Sequence, residues 1–268
     1  MSQPRNVLLL IGSPRGERSN SHAIGKFIVD KLEEKGLVSE EAFVTRLVNT
    51  REGIERLLKS IDNADIIVLA TPLYVDSFPS PTIKAMELIH EHRKAALPTK
   101  SQLLAAIINS GFPEKEQMNI ALKIMRNFAQ ASNFRWGGGI RVGWGMALNG
   151  GPLSEKKGMT RKLTRGLSLA SNDLSMGQPI SEEAEELAST LFVPLFVAKS
   201  MTLLFGNRDW NKQAKENNAN SKMYDQPYKI NRQEADAERA LQGKSETEQK
   251  DTDSQKNQEI GGNLVDSD

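Results

Sequence analysis

Three short and almost unbroken apolar runs limit what this chain can fold into: NVLLLIG at 6–12, IIVLA at 66–70 and LLAAII at 103–108. They are too short for core helices and lack the polar alternation of a half-exposed strand. Each therefore reads as a strand buried on both faces of a parallel sheet. Each also opens into a loop and then into a segment with helical spacing.

The intervening sequence completes the pattern. Ala23, Ile24, Phe27, Ile28 and Leu32 mark a first helix, which Gly36 can end in a left-handed cap. Residues 41–48 (EAFVTRLV) read as a weaker second strand, and Ile54, Leu57, Leu58 and Ile61 share one face of the next helix. Pro81 suits the first turn of a helix carrying Ile83, Met86, Leu88 and Ile89, and Ile120, Met125 and Phe128 belong to another. Residues 134–144 (FRWGGGIRVGW) read as a fifth strand, in which three adjacent glycines signal a bulge or a close backbone approach.

Alternation of this kind predicts an α/β fold: a doubly wound five-stranded parallel sheet in the order 2-1-3-4-5, helices on both faces. Such a sheet binds its ligand outside the carboxyl ends of the strands where the winding reverses, between the first and third. The loops leaving those two strands are the most distinctive in the chain. The first, Ser13–Ser21 (SPRGERSNS), gathers hydroxyls and an amide before a helix, whose N-terminus favours an anion. It is no Walker A loop, because no Gly-Lys-Ser/Thr closes it. The alternative is an ordinary connection with Ser19 or Asn20 as N-cap. His22 adds to the field there or is a bystander.

Other classes are excluded by composition. With no cysteine there is no disulfide, thiol catalyst or cysteine-bound cluster. The balance of 35 basic against 34 acidic side chains offers no nucleic-acid surface. His90 and His92 lie two apart on a helix and point to different faces, so a shared metal is not expected. No secretory leader is evident, which makes the cytoplasm the expected location.

Beyond Gly150 the pattern turns wholly helical. A basic stretch, KKGMTRKLTRGLSLASNDL at 156–174, precedes four glutamates from Glu182 to Glu186 and an apolar window at 187–205. Lys199 and several hydroxyls interrupt that window, so packing on the domain or on a second copy is expected rather than a membrane span. The expected layout is a ligand-binding domain at 1–150, a helical extension at 151–206, a surface arm at 207–230 and a disordered tail at 231–268.

The two loops together, GSPRGERSNS at 12–21 and TPLYVDSFPSPTIKAMELI at 71–89, resemble the NADPH-dependent FMN reductase branch of the flavodoxin-like superfamily. The resemblance covers about residues 5–145 and implies a flavodoxin-like fold. It implies that Ser13, Arg15, Ser19, Asn20 and Ser21 hold the FMN phosphate. Pro72, Leu73, Tyr74, Val75 and Asp76 would border the ring, and Ser110, Gly111 and Phe112 would close it. The lesser alternative for Tyr74 and Phe112 is a place in the core, and for Asp76 the capping of a turn. The activity implied is an FMN-dependent NAD(P)H oxidoreductase, passing hydride from nicotinamide through bound FMN to a small electron acceptor such as free flavin, a quinone, a nitro or an azo compound. The rivals are a flavodoxin-type electron carrier, which the near-neutral charge disfavours, and a non-enzymatic scaffold of the same fold. An apolar helix added to a compact domain also suggests a homodimer.

Overall fold

The computed structural model describes residues 5–156, 158–192, 195–222 and 225. The chain divides into two units, Met1–Gly206 and Asn207–Asp268. In chain order the first contains β1 (Asn6–Ile11), α1 (Asn20–Glu33), β2 (Val38–Phe43), the single turn α2 (Val44–Leu47), α3 (Arg51–Asn63), β3 (Ile66–Pro72) and α4 (Ser80–Ala95). There follow β4 (Leu103–Asn109), α5 (Asn119–Ala131), β5 (Arg135–Val142), α6 (Arg161–Ser175) and α7 (Glu182–Ala188), after which α8 spans Leu195–Glu216. The expected tail at 231–268 lies outside the described residues.

All strand pairs are parallel and the order is β2-β1-β3-β4-β5, the flavodoxin-like topology. The continuous apolar runs follow from this arrangement, because alternate residues of one strand serve two cores. Leu8 and Leu10 face α3, α4 and α5. Val7, Leu9 and Ile11 face α1, α6 and α7. Asp65 fastens the lower edge of the sheet, accepting from the Asn6 N–H and from Lys100 Nζ, both at 2.8 Å.

Burial pushes the Asp65 carboxyl up, but the Lys100 and Asn6 hydrogen bonds outweigh it and hold the group below its ordinary 3.8. A lowered folded value contributes stability that is complete above pH 3.8 and is lost as the pH falls through the folded value. Acid unfolding followed by circular dichroism should therefore show a later onset in the wild type than in Asp65→Asn. Coincident acid limbs would refute this.

The second strand differs from expectation. It runs from Val38 to Phe43 rather than 41–48, paired with β1 from Asn6 opposite Val38 to Ile11 opposite Phe43. As an edge strand it carries Ser39, Glu40 and Glu41, which dilute the apolar signal, while Val44 and Leu47 are buried from a helical turn. The glycines of β5 account for both readings offered for them. Gly138 has φ +86° beside a register shift, and a Cβ on Gly137 would lie 3.0 Å from the Leu104 carbonyl oxygen.

The segment after 150 packs closely on the sheet. Leu163, Leu167, Ala170 and Leu174 of α6 and Ala184 and Ala188 of α7 are buried in the core that α1 shares. α6 begins only at Arg161, after Gly158 at φ +100°. The apolar window at 187–205 is not one helix: α7 ends at Ala188 and α8 starts at Leu195. Among the described residues no helix is long and apolar enough to cross a membrane.

Candidate functional site

The loops leaving β1, β3 and β4 meet at the carboxyl edge of the sheet, where the winding reverses. Gly12 is the pivot. Its N–H donates to the Ala70 carbonyl at 2.8 Å, and its own carbonyl accepts from Thr82 Oγ1 at 2.9 Å. A Cβ there would stand 2.4 Å from Thr82 Oγ1 and 2.8 Å from Thr71 Oγ1, so glycine is what lets the three segments close up. Thr71 and Thr82 are fully buried.

The first loop passes through a short 3-10 turn at Gly16–Arg18 into α1. Ser19 is the N-cap of α1: its Oγ accepts from the His22 N–H at 3.1 Å and donates to the Gly16 carbonyl at 2.6 Å. The main-chain N–H groups of Asn20 and Ser21, in the first turn, have no intrahelical acceptor. Ser13 is buried with its Oγ accepting from the Arg15 N–H at 3.4 Å, and the Arg15 side chain is exposed. His22 is tied to β2, with Nε2 2.9 Å from Glu41.

Two predicted phosphate ligands also have partners within the protein. Ser21 Oγ donates to Asn109 Oδ1 at 2.6 Å, a buried bond. The Asn20 carboxamide donates to the Gly145 carbonyl at 2.6 Å and accepts from the Gly150 N–H at 2.7 Å. The start of α1 is thus fastened to the end of β4 and to the segment that follows β5.

The second loop folds into a tight hairpin. Tyr74 and Ser77 exchange main-chain hydrogen bonds at 2.9 and 3.0 Å, leaving Val75 and Asp76 at the tip with φ of +44° and +60°. A β-branched residue with positive φ is a strained outlier. Val75 is 97% exposed and Tyr74 49%; Phe112, in the third loop, is 58% exposed. Neither aromatic is a core residue. Leu73 and Pro72 are half-buried, and the Leu73 N–H donates to the Asn109 carbonyl at 2.8 Å, joining the second loop to the third. In the third loop Ser110 is buried, its Oγ accepting from the Phe112 N–H at 3.1 Å, while Gly111 is exposed. Trp144 and Gly145 donate main-chain bonds to the Phe112 and Ser110 carbonyls, both at 2.7 Å.

The result is a cradle of helix-start N–H groups and a buried hydroxyl, beside a rim of exposed apolar side chains on two coupled loops. Residues 5–130 match the family model of the NADPH-dependent FMN reductases. The match spans 126 of the 268 residues, and over that stretch the chain is similar to this family, which supports FMN-dependent oxidoreduction. No curated protein matches the sequence. Among solved structures, an FMN-dependent NADH-azoreductase from Bacillus anthracis in complex with FMN matches 64% of this chain and 100% of its own, with 14% identity and TM-score 0.50. A flavodoxin of Streptococcus pneumoniae matches 64% of this chain and 99% of its own, at 16% identity and TM-score 0.43. At 14% identity the likeness to the azoreductase speaks for the fold alone.

Sequence reasoning missed Thr71, Thr82, Asn109 and the Gly145–Gly150 segment. Thr71 and Thr82 lay inside the quoted second loop, but nothing local distinguishes a hydroxyl that meets a strand about 70 residues away. For Asn109, a polar residue ending a fully apolar run was the available signal.

Proposed function

We propose that the protein is an FMN-dependent NAD(P)H oxidoreductase in which reducing equivalents pass from a nicotinamide donor through bound FMN to a small acceptor such as a quinone, a free flavin, or a nitro or azo compound. The observation that carries this reading is the meeting of the loops after β1, β3 and β4 at one edge of the sheet, tied through Gly12, Thr82 and Asn109.

The residues present fit the cofactor. The N–H groups of Asn20 and Ser21 with Ser13 suit a phosphate at the positive end of α1. Ser19 and Ser21 shape the loop through their hydroxyls, and the Asn20 carboxamide holds it against Gly145 and Gly150. Arg15, exposed at the mouth, adds positive charge. Pro72, Leu73, Tyr74, Val75 and Asp76 give the ring one border; Ser110, Gly111 and Phe112 give it the other. When bound, FMN supplies the electron-transfer chemistry itself, so this chain needs only to bind, orient and leave one face open. Exposed Phe196 and Leu203 on α8 support a homodimer.

The test is direct. The purified protein should carry or take up FMN, seen in its visible absorbance, and should oxidise NADH or NADPH when a quinone is added. A preparation that stays colourless in excess FMN defeats the proposal. A yellow one that leaves both nicotinamides untouched would make it an electron carrier instead.

A further inference from the structure

The basic stretch at 156–165 is not absorbed by this site. Lys156, Lys157, Arg161, Lys162 and Arg165 occur there with only Glu155 bordering them. α6 aligns two of these cations: Arg161 and Arg165, one turn apart, both border a groove of about 550 Å³ between α1 and α6. Among the described residues neither forms an ion pair. Like charges at this spacing repel and destabilise a helix, an effect that an anion placed between them would reverse.

The groove is more than a charged surface. Phe27 and Leu153 supply its apolar lining, and its volume lies in the range of small-molecule pockets. The other charged group on its wall, Lys31, is held by Glu34 at 2.7 Å. The hydroxyls of Thr160, Thr164 and Ser168 all donate to main-chain carbonyls four residues back, which leaves the two guanidinium groups as the unpaired charged donors on the wall. The adjoining cleft beside α1 holds Asp30 and Glu17, paired with Lys26 and Arg46 respectively.

From this arrangement we propose that the α1–α6 groove binds a small amphipathic anion: an apolar body against Phe27 and Leu153, and a phosphate or carboxylate group on Arg161 and Arg165. The site is separate from the flavin cradle and does not depend on that reading. A pocket with an apolar lining and a forked cation pair recognises both halves of such a molecule.

Calorimetric titration of the full chain, with FMN present in excess, provides the test. Octyl phosphate and octanoate distinguish the two head groups; octanol lacks the charge and inorganic phosphate lacks the body. Saturable binding of at least one octyl anion is expected, with octanol and inorganic phosphate each about tenfold weaker or more. The Arg161→Gln/Arg165→Gln double variant changes exposed side chains only and should lose about tenfold in affinity. Ser168→Leu keeps both charges, fills the groove and should weaken the octyl anions while leaving inorganic phosphate unaffected. Equal binding by the double arginine variant, equal binding of octyl and inorganic phosphate, or retention on anionic vesicles with no binding of monomeric octyl anions would each overturn the proposal; the last would mark a membrane surface instead.

Discussion

Cut after Gly151, the chain should fail to reach a stable folded state. The cut removes Leu153, Leu163, Leu167 and Leu174, each at most 3% exposed, along with Ala170, Ala184 and Ala188. Burying a leucine side chain contributes about 1.5–3 kcal/mol, so four of them supply about 6–12 kcal/mol. That matches the whole net stability of an ordinary domain, about 5–15 kcal/mol. Removal would also bare the outer face of α1 and the β4–β5 end of the sheet, including Ile24, Ile28, Ile107 and Ile140. Expected observations are loss of near-ultraviolet circular dichroism and aggregation of the truncated chain, against a cooperative urea transition for the intact one. A cooperative transition at the same midpoint in both would show that residues 152–206 are a separable extension.

Asn20→Asp should weaken FMN binding about 10²–10³-fold. A carboxylate about 4 Å from a phosphate charge opposes it by about 4 kcal/mol at an effective dielectric of 20, before screening by salt. The substitution also turns an amide donor into an acceptor facing the Gly145 carbonyl, which now accepts from Asn20 at 2.6 Å. Two controls separate these effects. Asn20→Ala breaks both bridges without adding charge and should lose about tenfold, the scale of one to two hydrogen bonds. Melting without FMN gives the structural cost alone, because an acidic residue in the first turn of α1 otherwise suits the helix dipole. Flavin fluorescence quenching measures the affinities, and undiminished FMN binding by Asn20→Asp would place the phosphate elsewhere.

Both expectations turn on contacts between residues far apart in the chain. Asn20 reaches Gly145 and Gly150 across about 125–130 positions, and Ser21 reaches Asn109 across 88. The hydroxyl-rich loop was legible as a candidate anion site because clustered hydroxyls ahead of a helix are a local pattern. That Ser19 serves as the cap, while Ser21 and Asn20 fasten the loop to its neighbours, is a matter of three-dimensional partners.

What the sequence determined by itself is the sheet. Runs such as NVLLLI and LLAAII bury both faces of a strand wherever they stand, and alternation with helical segments leaves few ways to wind them. Edge strand β2 escaped in part because only its neighbour β1 sets its register. Tertiary structure alone decided where the helices after β5 belong. An amphipathic stripe like that of α6 specifies that a face is buried but not against what, and the choice between its own sheet and a second copy depends on shape. Here Gly166 decides part of it: a Cβ at that position would lie 2.3 Å from the Ala188 main-chain nitrogen, so its absence lets α7 close onto α6 and complete the core.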